Sequence, residues 1–352
     1  MSELNNLDQK RFSKDICKWY QSIKRDLPWR LNQDPYKVWI SEIMLQQTQV
    51  KTVIPYFNRF MEQFPSIEVL ALATEEKVLK AWEGLGYYSR ARNIHTTAKK
   101  IVKDYDNVFP SDYETILSLK GIGSYTAGAI SSIAFLNPIP AVDGNVMRVM
   151  SRVLDIWDDI AKPKTKKKFE LLLKDVVPSN DPSSFNQGLM ELGALICKPR
   201  SQKCFECPVR THCISYHNGY DDQLPIKSSK AKQKKIPMIT GIVTNEQGKF
   251  LMRRRPEKGL LANMWEFVQA EGLSFNELQY HLFYHYNIKL TDGIYQGDVK
   301  HVFSHRIWNM TVYSSKVTGE PKLPVHLKFL SKAEIEQIPV STAHKKVMNY
   351  IQ

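Results

Sequence analysis

Four of the five cysteines stand within seventeen residues, as Cys197-x6-Cys204-x2-Cys207-x5-Cys213. Thiols this close form a ligand set and not a disulfide framework, and four of them suit either a [4Fe–4S] cluster or a structural zinc ion. Two carboxylates stand where they could act in catalysis. Asp143 lies in Ala-Val-Asp-Gly-Asn-Val, just ahead of a helical pattern. That position also suits a helix N-cap, a role compatible with catalysis. Glu42, placed on a helix, shares a face with Val38, Trp39, Leu45 and Gln46. Buried there, its carboxyl would favour the protonated form and could donate a proton; left exposed, it is an ordinary solvated glutamate. Twenty residues before Asp143 stands Gly123, which with Gly121 interrupts Leu-Lys-Gly-Ile-Gly-Ser-Tyr. A helix ending at Gly121 and another opening at Ser124 would make a hairpin whose backbone N–H groups can approach a phosphate. Taken alone, the Gly-x-Gly pair equally suits an ordinary helix connection.

A helical frame must hold these groups. Residues 9–217 read as almost wholly helical: Val146, Met147, Val149, Met150, Val153 and Leu154 recur at three- and four-residue steps. Ser111 with Glu114 predicts a capping box ahead of Ile116, Leu117 and Leu119, and Cys17 reads as a small buried apolar residue in an amphipathic helix. Leu224 to Pro237 is rich in lysine and serine and predicts a linker, its lysines either solvated or on DNA. Beyond it the period changes. Met238–Val243, a turn at Asn245–Gly248, Phe250–Met252, interrupted runs in Val302–Val312 and one helix near Ser274–Tyr286 predict a separate α+β domain.

The length of 352 residues predicts two or three domains. The net charge of +13, spread along the chain, favours a polyanionic partner, as it would in many basic proteins that bind no nucleic acid. No apolar run of about 18 residues and no basic-then-apolar leader is present, which predicts a cytoplasmic protein without a membrane partner.

The hairpin followed by Val142-Asp143 resembles the helix-hairpin-helix DNA glycosylase superfamily, in which that aspartate is the catalytic carboxylate. The cysteine spacing downstream resembles the loop of the endonuclease III and adenine glycosylase branch and so implies a [4Fe–4S] cofactor, with Lys198, Arg200 and Lys203 on its rim. Two differences separate those relatives. Tyr125 stands where strand-cleaving glycosylases carry a lysine nucleophile, and Gly144-Asn145 stands where endonuclease III has Thr-His; both resemble the adenine glycosylases. So do Leu27–Arg30, Asp34–Val50, Gly84–Asn93 and Phe185–Cys197, which extend the resemblance over essentially all of residues 10–217.

The resemblance implies a helical glycosylase region at 1–220, with a six-helix module at 30–137 and a cluster module from 1–29 and 138–220. Glu42 would protonate the departing purine and Asp143 would face the sugar, while Tyr125 and Asn145 would position Asp143 and the attacking water. Trp29, Arg30, Leu45 and Gln187 would line the adenine pocket, Gln47 and Tyr87 would wedge into the duplex, and Gly121 and Gly123 would hold a phosphate. Tyr88 reads as core.

After a linker at 221–237, residues 238–352 resemble a Nudix-like domain with one departure. Phe275–Asn287 offers Glu277 as its single glutamate, too few carboxylates for a metal-binding helix, so the domain is expected to bind without hydrolysing. His301–Trp308 matches the family's Phe-Ser-His loop, which makes Phe303, Ser304 and His305 the expected contacts to 8-oxoguanine. The implied partner is double-stranded DNA with A:8-oxoguanine or A:G mispairs, acted on by a monomer that leaves the strand uncut. Competing readings are an endonuclease III-like pyrimidine glycosylase and lyase, a thymine-mismatch glycosylase and a non-catalytic iron–sulfur DNA-binding protein. Tyr125 argues against the first, and Glu42 together with Asp143 against the last.

Overall fold

The computed structural model describes residues 2–5, 7–229 and 233–351; Lys230, Ala231 and Lys232 of the expected linker lie outside these. Two compact units form, Met1–Ala71 with Thr96–Lys230, and Leu72–His95 with Ala231–Gln352.

Helices α1 (Gln9–Ile23), α2 (Pro35–Leu45), α3 (Val50–Gln63), α4 (Ile67–Leu72), α5 (Glu75–Ala81), α6 (Ser89–Asp104), α7 (Tyr113–Ser118), α8 (Ser124–Ala134), α9 (Gly144–Val153), α10 (Pro163–Lys174), α11 (Pro182–Leu195) and α12 (Ile214–Asn218) follow in order. Of these, α5 and the start of α6 belong to the second unit. Aspartates open α1, α2, α7, α9 and α11: the carboxylates of Asp8, Asp34, Asp112, Asp143 and Asp181 each accept a first-turn N–H. Asp112 thus displaces the Ser111 capping box expected from sequence. It prevails because α7 starts one residue later and its carboxylate takes both the N–H and the hydroxyl of Thr115.

Phe12, Ile16, Val146, Val149, Phe169, Phe185 and Leu189 form a core shared by α1, α9, α10 and α11. Two glycines let α11 approach its neighbours closely. A Cβ on Gly188 would lie 2.7 Å from Ile16 Cγ2, and one on Gly193 would lie 2.6 Å from Asn145 Cβ. Cys17 packs against this core, and burial pushes its thiol up to about 12.

In the second unit β1 (Lys234–Thr244), β2 (Phe250–Arg254), β3 (Trp265–Glu271), β4 (Ile294–Val302), β5 (Arg306–Lys316) and β6 (Leu327–Leu330) make a sheet of order β4-β5-β1-β3-β2-β6. It is covered by α13 (Phe275–Tyr286), α14 (Lys332–Gln337) and α15 (Thr342–Val347). Strand β1 runs parallel to β5 and is buried along most of its length, which explains its unbroken apolar run. It begins at Lys234, inside the stretch read as linker, because Lys234–Pro237 pair with Arg306–Asn309. Among the described residues no helix is long and apolar enough to cross a membrane.

Candidate active site

A cavity of about 390 Å³ in the first unit brings together Trp29, Arg30, Glu42, Leu45, Tyr125, Asp143, Asn145 and Gln187. Glu42 is buried on α2, which packs on α8 so that Tyr125, in the first turn of α8, donates its hydroxyl to Glu42 Oε2 at 2.6 Å. Burial raises the Glu42 carboxyl above its usual range, against the pull of Tyr125 and Arg30. The same burial, with the two carboxylates nearby, holds Tyr125 well above an ordinary phenol.

Asp143 is held differently. As N-cap of α9 its Oδ1 accepts the Val146 N–H at 2.8 Å and its Oδ2 accepts the Asn145 side-chain amide at 2.8 Å. Burial raises this carboxyl too, but backbone and amide hydrogen bonds and the Arg148 charge favour its ionised form, as does the positive end of the helix dipole. Tyr125 is bonded to Glu42, and Asn145 carries the side-chain bond to Asp143. Arg148 fixes Asn145 in turn, donating to Asn145 Oδ1 at 2.9 Å, Gly193 O at 2.7 Å and Cys197 O at 2.8 Å.

The cavity also contains residues that the sequence did not single out, among them Arg25 and Glu191. Arg25 forks onto both carboxylate oxygens of Glu191 at 2.9 Å, and Arg30 Nη2 reaches Glu191 at 2.8 Å. Among the described residues Arg30 Nη1 is buried without a hydrogen-bond partner, an open donor on a residue that lines the cavity. Tyr20 donates to Gln187 Oε1 at 2.8 Å. Glu191 stands one helical turn after Gln187 on α11, the spacing that would have pointed to it. Trp29 is buried edge-on against Phe57.

Gln47 is exposed in the turn after α2 with φ +58°, and Tyr87, in the second unit, is 46% exposed with φ +48°. Left-handed backbone at non-glycine residues persists where the surroundings enforce it, often at functional positions. Tyr88 is core, as expected. Between α7 and α8, Gly121 adopts φ +83° and Gly123 is the N-cap of α8 without a side-chain cap, which leaves first-turn N–H groups for an anion.

Cys197, Cys204, Cys207 and Cys213 line one pocket with Val149, Val153, Leu192 and Arg152. Arg152 donates from Nη1 to Cys197 Sγ at 3.1 Å, while its Nη2 is buried without a partner among the described residues. A buried cation with a spare donor beside four thiols fits the negative charge of a thiolate-held cluster. Burial pushes the thiols of Cys204 and Cys207 up to about 12 and of Cys213 to about 11, so a metal must displace their protons.

In the second unit Phe303–His305 turn β4 into β5, closed by the Phe303 N–H on Arg306 O at 2.8 Å. The Phe303 ring packs edge-on against Trp308 and His301, so it anchors the loop and leaves Ser304 and His305 exposed at the tip. The Ser304 and Tyr87 hydroxyls share a hydrogen bond at 3.0 Å, and both residues border a cavity of about 510 Å³. Glu277, on α13, serves as the capping box of that helix with Ser274.

Residues 40–178 match the family described as HhH-GPD superfamily base excision DNA repair protein, and residues 239–350 match the NUDIX domain. A solved thermostable thymine-DNA glycosylase is similar at 29% identity and a TM-score of 0.55, covering 61% of this chain and 99% of that one. Fold and site therefore define a helix-hairpin-helix base-excision DNA glycosylase with a Nudix-type C-terminal domain. The adenine DNA glycosylase of Rattus norvegicus is 34% identical over 97% of this chain and 78% of that protein, and that of Buchnera aphidicola subsp. Schizaphis graminum is 39% identical over 73% and 74%. The chain belongs to the adenine DNA glycosylase family.

Proposed function

We propose that the enzyme hydrolyses the N-glycosidic bond of adenine mispaired with 8-oxoguanine, and also with guanine, acting as a monomer on duplex DNA and leaving an uncut abasic strand. The observation that carries this reading is the unlike setting of two carboxylates in one cavity: Glu42 takes a single phenol hydroxyl, and Asp143 takes a backbone N–H and an amide at a helix N-terminus.

The bond is out of reach inside the stack, so the nucleotide turns out of the duplex while Gln47 and Tyr87 hold the gap. Arg30 Nη1 offers the entering base a hydrogen bond that nothing else in the pocket takes up. Glu42, protonated, donates to N7 of the purine, which then leaves neutral. Asp143, ionised, faces the sugar and stabilises the oxocarbenium-like cation before water adds, with Asn145 keeping it in place. Tyr125 gives the site no amine to attack the sugar, so no imine forms and the strand stays intact.

Cys197, Cys204, Cys207 and Cys213 would hold a [4Fe–4S] cluster, which when bound supplies iron–sulfur redox chemistry and cross-links their loop. Ser304 and His305 would read the edge of 8-oxoguanine, where an N7–H donor and a C8 oxygen replace the bare N7 of guanine. The C-terminal domain would bind without hydrolysing nucleotides.

One assay tests the activity. Under single turnover, duplexes with A:8-oxoguanine and A:G should lose adenine, and duplexes with thymine glycol or G:T should lose nothing. Base release from either of the latter would overturn the reading. For the cofactor, anaerobically purified protein should contain iron and sulfide; zinc without iron would refute the cluster.

A further inference from the structure

The turn that carries Tyr87 holds one strained residue. Gly84 and Gly86 adopt φ +102° and +71° at no steric cost, whereas Tyr87 adopts φ +48°, which persists at a non-glycine residue only where neighbours over-determine it. From within, Trp82 Nε1 donates to Gly86 O at 3.2 Å, and Arg90 Nη2 donates to Leu85 O and Gly86 O at 3.1 and 3.3 Å. The Arg90 guanidinium also lies 5.4 Å from the Tyr87 ring centroid.

From without, the turn is fastened to the C-terminal sheet and its helices. Glu83, its side chain only 4% exposed, pairs with Lys80 at 2.6 Å and Lys345 of α15 at 3.0 Å, and accepts the Val340 N–H at 3.3 Å. Lys80 donates onward to Ile338 O at 3.1 Å. On α5, Glu76 accepts Trp265 Nε1 at 2.9 Å and Glu75 accepts Asn263 Nδ2 at 2.7 Å. A buried carboxylate meeting two ammonium groups and a backbone N–H has little freedom, since any displacement strands those partners.

We infer that Glu83 is a positioning residue that fixes the Tyr87 turn on the C-terminal domain, so that the domain expected to read the partner base also sets the wedge. The inference rests on the lesion-reading assignment of Ser304. Glu83 itself touches neither base, and acts through the Tyr87 backbone and the 3.0 Å contact between the Tyr87 and Ser304 hydroxyls.

The test compares Glu83→Gln, Lys345→Met and Ser304→Ala in the full-length enzyme. Lys345 is 48% exposed, so its variant should fold even if Glu83→Gln does not. Both positioning variants should narrow the preference for A:8-oxoguanine over A:G by about tenfold, with adenine release on saturating enzyme close to that of the unaltered protein. Both should also speed amide hydrogen exchange at Gly84–Tyr88 without speeding it in β1 and β5, a local change that general destabilisation would not give. Ser304→Ala should narrow the preference and leave that exchange unchanged. If Ser304→Ala narrows the preference but the folded positioning variants leave either the exchange or the preference unaltered, the role of Glu83 is refuted. If Ser304→Ala keeps full preference, the lesion-reading assignment fails, and the exchange data alone decide whether Glu83 holds the turn.

Discussion

The Tyr125 hydroxyl donates to Glu42 Oε2 across 2.6 Å, joining α8 to the buried carboxyl of α2. Asp143, bordering the same cavity, instead receives a backbone N–H and an amide N–H at the start of α9. Both carboxyls are raised by burial, but donors that stabilise charge gather at Asp143. In the proposed mechanism this asymmetry keeps Asp143 ionised and leaves the proton on Glu42.

Replacing Tyr125 with Phe should therefore move the alkaline limb of the pH–rate profile upward. Tyr125 lowers the Glu42 pKa by bonding to its ionised form, so losing that bond raises the pKa and keeps the acid protonated to higher pH. The acidic limb, which reports protonation of Asp143, should move little. Single-turnover rates across pH give the answer, and a downward shift of the alkaline limb would reverse the assignment of acid and carboxylate.

Glu42→Gln and Asp143→Asn should each abolish adenine release while mismatch binding stays within about tenfold, because in the proposed mechanism both groups act on the transition state. Asparagine caps a helix about as well as aspartate, so Asp143→Asn should keep α9 and separate charge from structure. Titration of a labelled mismatched duplex alongside the rate measurement distinguishes lost chemistry from lost binding. Substantial turnover by either variant removes that residue from the mechanism.

Gly193→Ala tests how Asp143 is held. The added methyl would lie 2.6 Å from Asn145 Cβ and 3.1 Å from its Cα, and backbone cannot swing aside as a flexible side chain would. Overpacking of this kind costs roughly 1–3 kcal/mol of stability. Displacing Asn145, and Asp143 with it, should slow base release on the order of a hundredfold while leaving DNA affinity intact. A normal rate in a folded variant would show that the carboxylate does not depend on this contact.

Much of this site is legible where one short segment carries both the residue and its environment. Glu42 has its apolar helix face within a few residues, Asp143 precedes its own helix, and the four cysteines share one loop. The Arg25–Glu191 pair is not legible, because its partners are 166 residues apart and meet only when α1 and α11 pack. Strand β3 escapes for another reason. Its sequence, Trp-Glu-Phe-Val-Gln-Ala-Glu, looks half-polar, yet Glu266 and Gln269 are buried: Glu266 pairs with Arg253 and Arg255 and accepts the Gln269 amide, while Gln269 Oε1 finds no partner among the described residues. The start of β1 at Lys234 is set by pairing with β5 some seventy residues later, which no local charge pattern reveals.

Because Tyr125 stands in place of an amine nucleophile, borohydride added during base removal should trap no protein–DNA adduct, and the product strand should break only after hot alkali. Reduction fixes an imine, which needs a lysine or terminal amine at the sugar. Efficient trapping would move the enzyme to the strand-cleaving class whatever its base preference.

Glu266 should make the C-terminal domain acid-sensitive in a defined window. Burial alone would raise its carboxyl, but His344 and the guanidinium groups of Arg253 and Arg255, the latter two at 2.5 and 2.8 Å, hold it at about 2 against an ordinary 4.5. A carboxyl depressed by folding contributes stability that is fully present above the unfolded value and is lost as pH falls from about 4.5 toward 2. That contribution is roughly 3 kcal/mol, since a tenfold change in proton affinity is worth about 1.4 kcal/mol. Glu266→Gln should flatten the dependence of stability on pH across that window. It should also lower stability at neutral pH by roughly 3–5 kcal/mol, since two largely buried guanidinium groups lose their counter-charge. Urea unfolding of the full-length protein, followed by the ¹⁹F signals of fluorinated Trp265 and Trp308, reports on this domain directly, because both indoles lie in its core. If the variant keeps the acid dependence of the unaltered protein between pH 5 and about 2.5, another carboxylate governs it and the Glu266 network is not the domain's acid-labile element.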